Sequence, residues 1–184
     1  MTTTATTPKL FVTDYASYNE GTQFKYGHWV DLAEFDTVED FEEYLQGHFE
    51  KSGIEDPEIM YTDFEGFPVY LYGESLNSDE LEKIFKYKDL DIENFSNNDW
   101  LNHWNEYCQE NSYFDDEIYI FDDEFFNTYF EGRPMEAARA ASFGQLNWSD
   151  EYIYFNGYGN LESTDNPKDR IDENLLIEWL IDNA

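Results

Sequence analysis

Cys108 is the single thiol in a chain of 184 residues, and a thiol becomes a nucleophile when a histidine lies beside it to take its proton. Three histidines are available, at His28, His48 and His103. His103 precedes Cys108 by five residues, and on one helix that separation places the two side chains roughly 140° apart. No G-x-S-x-G sequence, the motif of a hydrolase nucleophile elbow, is present. We therefore predict that Cys108 is a small core or boundary residue and that the chain is not an enzyme.

Carboxylates are the other groups that could do chemistry, as metal ligands or as an acid and base pair. Asp89, Asp91 and Glu93 alternate as in a calcium loop, but Asn94 and Trp100 stand where that loop needs Gly and Glu. The histidines show no metal-ligand spacing. Because 42 Asp and Glu residues guarantee some pairs at glycosidase distances, such pairs carry no information. We predict no dedicated metal site and no cofactor.

The excess of acidic over basic residues dominates the chemistry of the chain. It has 42 Asp and Glu residues against 10 Lys and Arg, a formal net charge of −32. Proteins bind nucleic acids through basic patches, and these ten basic residues form none, so nucleic acid is excluded as a partner. An anionic membrane surface is disfavoured for the same reason.

This charge resembles that of DNA in its density. Duplex DNA carries one negative charge per ~1.7 Å of its axis, so 32 charges correspond to roughly 54 Å of duplex. A compact chain of 184 residues has a diameter on the order of 40 Å. The protein therefore carries about the linear charge density of DNA, or somewhat more.

The acids are concentrated in two stretches that contain no Lys or Arg. Residues 26–50 hold eight acids, and residues 89–132 hold 13. A surface selected for stability would mix charges of both signs, with lysines four residues from the acids. A single charged run is ordinarily a solvated face, but several acidic runs indicate a binding partner. The alternative explanation of the acidic excess is adaptation to a halophilic cytoplasm.

The first acidic stretch is predicted to form a helix that begins after Thr37 and ends near Gly53. Thr37 is a good N-cap, and Asp40 is its predicted capping-box partner. Helical spacing places an apolar set on one arc, which comprises Val38, Phe41, Tyr44, Leu45 and Phe49. The opposite arc is negative and comprises Glu39, Glu42, Glu43 and Glu50.

The remaining patterns predict an α+β fold with small antiparallel sheets on which acidic helices pack. Strands are predicted at 9–14, 27–32, 58–62, 117–121, 151–155 and in the segment 157–162, with a turn at 18–21 and an edge segment at 67–70. Helices are predicted after the caps Asn77 and Ser96, at 122–130, from Pro134 and at 172–182. Two buried helix faces are predicted, one of Trp100, Leu101, Trp104 and Tyr107, the other of Ile171, Leu175, Leu176, Trp179 and Leu180.

The chain divides into a Thr-rich flexible tail at 1–8, an N-terminal α+β domain at 9–92 and a C-terminal α+β domain at 93–184. The polar, Asn-rich stretch at 89–98 is the predicted boundary. A single cysteine fits a reducing compartment, the start lacks the features of a secretory signal, and no apolar run approaches ~18 residues. These features predict a cytoplasmic protein.

The N-terminal stretch resembles a known family. Tyr18-Asn19-x-Gly21, then Gly27-x-Trp29-x-Asp31-Leu32, then the acidic helix are similar to the N-terminal domain of the ArdA antirestriction proteins. The likeness is clearest over residues 9–50 and extends to about residue 88. The family is carried by conjugative plasmids, transposons and phages.

The resemblance implies an acidic, elongated DNA mimic that occupies the DNA-binding groove of type I restriction-modification enzymes. The family usually has three domains, and this chain departs from that layout beyond about residue 88, so its elongated two-domain arrangement is predicted from its own patterns. The resemblance also implies a homodimer that pairs through its C-terminal part. We predict that the acids of 34–50 and of 115–124 form one partner-binding ridge, comprising Glu34, Asp36, Glu39, Glu42, Glu43, Glu50, Asp115, Asp116, Glu117, Asp122, Asp123 and Glu124. Two alternatives stay open: an acidic inhibitor of another DNA-binding protein, such as a CRISPR effector or a nucleoid protein, and a metal-dependent carboxylate hydrolase.

Overall fold

The computed structural model describes residues 7–113, 116–120, 122, 125, 146–147, 150–155 and 161–184. The chain forms two compact units, one that runs to Glu93 and includes Ile181–Ala184, and one that comprises Asn94–Leu180. The described residues form two three-stranded antiparallel sheets together with helices, which confirms the predicted α+β class. The predicted domain limits, 9–92 and 93–184, stay a prediction.

The first sheet has strand β1 (Lys9–Asp14) at its centre, between β2 (His28–Asp31) and β3 (Ile59–Glu65). Both pairings are antiparallel. Successive side chains of a strand point to opposite faces, so the fully buried Leu10 and Val12 mark one face of the sheet as its inner face. The neighbouring side chains lie on the outer face, which is partly exposed.

Two short helices, α1 (Tyr15–Asn19) and α2 (Gln23–Tyr26), connect β1 to β2. The predicted turn at 18–21 is confirmed, since the Gly21 amide donates to the Tyr18 carbonyl at 3.1 Å, but the sequence does not predict the short helices on either side of it. Asp14 ends β1 and caps α1, because its Oδ1 accepts a hydrogen bond of 3.0 Å from the amide of Ser17. The cap allows the chain to enter a helix directly from the strand.

Helices α3 (Val38–Lys51) and α4 (Ser78–Asp89) contribute the rest of the core on the inner face of this sheet. Asn77 and Glu80 form a full capping box at the start of α4, as the sequence predicts. The core has an aliphatic and aromatic interior, which comprises Leu10, Val12, Val30, Leu32, Val38, Phe41, Leu45, Phe49, Tyr61, Phe67, Leu81, Ile84 and Phe85.

The second unit contains helix α5 (Asn97–Glu110) and a sheet in the order β4, β5, β6. The strands are β4 (Ile118–Ile120), β5 (Tyr152–Phe155) and β6 (Leu161–Thr164), paired antiparallel. The last helix, α6 (Glu173–Asn183), follows a 3-10 turn. The predicted buried face of α5 is confirmed, since Trp100, Leu101, Trp104 and Tyr107 are all buried.

The side chain of Asn105 on α5 binds both backbone groups of Ile118 on β4. Asn105 Nδ2 donates to the Ile118 carbonyl at 2.6 Å, and the Ile118 amide donates to Asn105 Oδ1 at 2.9 Å. β4 is an outer strand of its sheet. The amide of Asn105 therefore satisfies the edge of β4 as a neighbouring strand would.

Three predictions of local structure are wrong. Leu175 is 40% exposed, whereas Ile177 and Ile181 are buried, because the buried arc of α6 comprises Leu176, Ile177, Leu180 and Ile181 and leaves Leu175 on the opposite side. Tyr44, which the sequence places on the apolar arc of α3, is also exposed. The segment 67–70 does not form a strand, since Val69–Leu71 is a 3-10 turn in which the Leu71 amide binds the Pro68 carbonyl. The helices predicted at 122–130 and from Pro134 and the turn at Gly157 fall outside the described residues, apart from Asp122 and Phe125.

Candidate functional site

Helix α3 carries half of the predicted site, and its two ends are defined by local contacts. Thr37 Oγ1 accepts a hydrogen bond of 3.1 Å from the Asp40 amide, which confirms the predicted N-cap. In a capping box the Asp40 carboxylate would accept a hydrogen bond from the backbone amide of Thr37. Here Asp40 Oδ2 accepts one of 2.7 Å from the Thr37 hydroxyl instead, so the predicted capping box does not form. The helix ends at Lys51, and Gly53 follows it with a φ of +82°. The helix therefore begins after Thr37 and ends just before Gly53, as the sequence predicts.

The predicted acids of the first unit all have exposed side chains. They are Glu34, Asp36, Glu39, Glu42, Glu43 and Glu50. Four of the five apolar positions on the opposite arc of α3 are buried in the core, namely Val38, Phe41, Leu45 and Phe49. The helix therefore buries its apolar arc in the core and exposes its acidic arc to solvent, as predicted, and the core contacts hold it rigidly.

The charges of these six acids are not neutralised within the described part of the chain. No Lys or Arg among the described residues lies within 4.0 Å of any of their carboxylates. Glu42 accepts a hydrogen bond of 2.8 Å from Ser78 Oγ, and Glu50 accepts one of 2.7 Å from Gln46 Nε2. Both donors are neutral, so the carboxylates keep their net charge for a partner.

Several basic side chains are instead used inside the fold. Lys88 Nζ donates to the Phe35 carbonyl at 2.8 Å, lies 3.4 Å from Asp89 Oδ1 and sits 4.7 Å from the centroid of the Phe85 ring. Lys9 is paired with Asp31 at 3.9 Å. Because these cations are tied to their own units, they do not screen the front of α3.

The second half of the predicted ridge belongs to the other unit. Asp116 and Asp122 are exposed there, and Glu117 is half-buried. Glu117 Oε2 accepts a hydrogen bond of 2.6 Å from Tyr119 Oη, and Asp122 Oδ1 accepts one of 2.8 Å from the Phe125 amide. The remaining predicted acids, Asp115, Asp123 and Glu124, fall outside the described residues. A single ridge that joins both groups stays a prediction.

Cys108 has no property of a nucleophile. It is fully buried on α5, and burial, followed by the charges of Asp116 and Glu117, raises the pKa of its thiol to about 12. His103 lies on the same helix, where its ring stacks on Phe95 with centroids 5.2 Å apart. The prediction that Cys108 is a core residue is confirmed. Among the described residues, no group of three or more His, Cys, Asp or Glu side chains is arranged to hold a metal ion.

The structure brings together two histidines that the sequence leaves 20 residues apart. His28 on β2 packs against His48 of α3 with the ring planes tilted by 35°, and the His28 Nε2 lies 2.8 Å from Tyr44 Oη. His48 Nε2 lies 3.0 Å from the Tyr26 carbonyl oxygen. Burial lowers the pKa of His28, and the nearby His48 acts in the same direction. No local pattern predicts this cluster, because it depends on how α3 packs across the edge of the sheet.

Fold and surface together define a class, that of strongly acidic α+β proteins with an exposed, uncompensated carboxylate face. A family model described as Antirestriction protein (ArdA) matches residues 10–164, so the chain belongs to the ArdA antirestriction family. The match reaches well beyond the N-terminal stretch that carries the resemblance. A search of curated proteins found no match, and neither did a search of solved structures. Within the described ranges, no helix has both the length and the apolar character needed to cross a membrane.

Proposed function

We propose that this protein inhibits a type I restriction-modification enzyme by occupying its DNA-binding groove as a mimic of DNA. One observation carries the proposal: six exposed acids on and beside α3 have no cation within 4.0 Å among the described residues. Such a surface keeps its full negative charge until a basic partner supplies the counter-charges.

The spacing of the acids supports a phosphate-like role. Carboxylates one helical turn apart have Cβ atoms ~5–6 Å apart, and Glu42 and Glu43 both lie one turn after Glu39 on one side of α3, while Glu50 lies two turns beyond Glu43 on the same side. The buried back of the helix holds these groups in place, so binding does not have to order them first. A rigid row of carboxylates is what a groove shaped for a phosphate backbone can accept.

The chemistry of the target supports the same conclusion. Lys and Arg side chains that bind phosphates form charge-assisted hydrogen bonds with carboxylates as well. A net charge of −32 also attracts a basic groove over long distances and raises the association rate. In this proposal the protein acts in the cytoplasm, as a homodimer, on behalf of a mobile element, and Asp116, Glu117 and Asp122 of the second unit also bind the partner.

The test is displacement of DNA from a purified type I methyltransferase core. A fluorescent duplex is bound to the core, the protein is added, and anisotropy reports the free duplex. We expect displacement that weakens steeply as salt rises, since screening shortens the range of the attraction. Poly-glutamate of matched total charge is the control for unstructured charge, and it should displace much less DNA. Failure to displace DNA from several such cores would show that the proposal is wrong.

A further inference from the structure

An aromatic cluster lies on the outer face of the first sheet, the face opposite to the core and α3. Phe11 on β1 and Trp29 on β2 are direct cross-strand partners, and their ring centroids are 5.7 Å apart. Phe24 of α2 packs edge-on against Phe11 at 5.9 Å. Phe24 is 81% exposed and Trp29 is 40% exposed. Exposed aromatic residues that form a cluster mark an interaction site more often than isolated ones do.

Carboxylates stand beside these rings on the same face. Asp63 on β3 pairs directly with Phe11 across the sheet and is exposed. The next row of the outer face consists of Asp31, Lys9 and Glu65, which are also paired across the strands. Cross-strand partners lie on one face of a sheet, so aromatic rings and carboxylates lie side by side within this surface.

The protein itself binds cations with this combination of ring and carboxylate. Lys168 Nζ sits 4.3 Å from the centroid of the Trp100 ring and 3.2 Å from Glu173 Oε2. Lys88 lies over the Phe85 ring in the same way, with a carboxylate also within salt-bridge distance. A ring face attracts a cation by a cation–π interaction, and a carboxylate attracts it by its charge, so the two attractions add. The cation–π interaction is the less sensitive to salt, because it acts at close contact.

We propose that the outer aromatic face, defined by Phe11, Phe24, Trp29 and Asp63, binds an arginine-bearing segment of the basic protein partner. A guanidinium suits this face better than an ammonium, because it stacks flat on aromatic rings, sheds water more easily and pairs with a carboxylate through two bonds. The inference rests on the proposed function only for the identity of the partner.

Charge complementarity favours this occupant over a second copy of the chain. The outer face itself has three carboxylates against Lys9, so two copies of this face would repel each other. A basic segment gains from both the rings and the acids. The protein would then contact its partner through two surfaces. The acids of α3 would supply long-range attraction, and the aromatic face would supply close contact.

The test uses a six-residue peptide of alternating glycine and arginine, added to the full chain in 0.5 M salt. At that ionic strength the Debye length is on the order of 4 Å, which weakens non-specific attraction to the acids. We expect the indole N–H signal of Trp29 to shift in NMR spectra, and the affinity to fall about threefold to tenfold in Phe24→Ser. Val69→Ser is the matched control, because Val69 is 71% exposed in the same unit. It should bind the peptide as the unaltered chain does.

Each other outcome would overturn the inference. A Trp29 signal that does not move, or equal peptide affinity in Phe24→Ser and the unaltered chain, would show that the face does not bind guanidinium groups. A fall in molecular mass of Phe24→Ser on sedimentation, with unchanged peptide binding, would show that a second copy covers the face. If Phe24→Ser fails to fold, Phe24→Leu removes the ring and keeps an apolar side chain, and the same fall in affinity is expected.

Failure of this inference can be told apart from failure of the proposed function. The Trp29 shift needs no restriction enzyme, so it should persist even if the protein displaces DNA from none of the methyltransferase cores. If the protein displaces DNA and Phe24→Ser displaces it equally well without a Trp29 shift, the inference about the aromatic face alone is wrong.

Discussion

The imidazole rings of His28 on strand β2 and His48 on helix α3 are in contact, with their centroids 4.1 Å apart and their planes tilted by 35°. The contact joins the acidic helix to the edge of the first sheet. The Nδ1 of His28 is buried without a hydrogen-bond partner among the described residues. Two protonated rings at this distance would repel each other, so the contact is suited to neutral imidazoles.

The first prediction concerns the pH dependence of stability. The pKa of His28 is lowered in the fold from its ordinary value of 6.5, by burial and by His48, so the unfolded chain binds a proton more readily. The contribution that neutral His28 makes to the free energy of unfolding is therefore fully present above pH 6.5, and it is lost as the pH falls through the lowered pKa. The free energy of unfolding of the first unit should fall over this window. His28→Gln should remove that part of the pH dependence, as measured by urea denaturation at several pH values.

His103→Gln is the control for this measurement, because His103 lies on α5 and stacks on Phe95. It should leave the pH dependence of the first unit as it is in the unaltered chain. The same slope in His28→Gln and the unaltered chain would contradict the prediction.

The second prediction concerns the acidic front of α3. Reversing Glu39, Glu42 and Glu43 to Lys should weaken displacement of DNA from a methyltransferase core by at least about tenfold, because several charge pairs with the partner become repulsive. The fold should survive, since all three side chains are exposed. Anisotropy of bound duplex measures the displacement, and circular dichroism measures the fold.

A charge-matched variant separates position from total charge. Glu55, Glu58 and Glu74 are exposed in the same unit and lie off α3. Their reversal to Lys changes the net charge equally and should reduce displacement much less. Equal losses in both triple variants would remove α3 from the binding surface.

The third prediction concerns the glycine that precedes β2. A Cβ added to Gly27 would lie 2.5 Å from the Gln23 carbonyl oxygen and 2.7 Å from that of Val12. Both contacts are with backbone atoms, which cannot rotate away. Gly27→Ala should lower the free energy of unfolding by about 1–3 kcal/mol, as expected for overpacking, in urea denaturation.

Gly47 offers the opposite case within α3. A Cβ at Gly47 would meet nothing within 4 Å, and the residue lies inside the helix. Gly47→Ala should raise the free energy of unfolding by about 0.5–1 kcal/mol, because alanine loses less backbone entropy. A stabilising Gly27→Ala would show that the close approach at that position is wrong.

The fourth prediction concerns the outer strand of the second sheet. Asn105→Ala removes both hydrogen bonds to Ile118 and should cost about 1–3 kcal/mol of stability in the second unit. Hydrogen exchange at the Ile118 amide measures the effect locally and should become faster. Asn102→Ala is the control, since Asn102 is exposed on the same helix, and it should change stability by less than about 0.5 kcal/mol. Unchanged exchange at Ile118 in Asn105→Ala would contradict the prediction.

The sequence by itself determined the features that depend on neighbours along the chain. The caps at Thr37, Asn77 and Ser96 were predictable because each side chain binds an amide only three residues away. The buried and acidic arcs of α3 follow from the 3.6-residue period of a helix, and the α+β class follows from the order of the elements. The family resemblance at 9–50 also needed no structure, and the family match supports it.

Only the tertiary structure decided which distant residues meet. Strand register places Phe11 between Trp29 and Asp63, and helix packing brings His28 to His48 and Asn105 to Ile118. The burial of Ile177 in place of Leu175 was decided in the same way. These contacts depend on strand register and on which arc of a helix packs against the rest of the chain, and a change of one residue in register moves a side chain to the other face of a sheet. Local patterns do not contain that information, because it lies in how the elements pack.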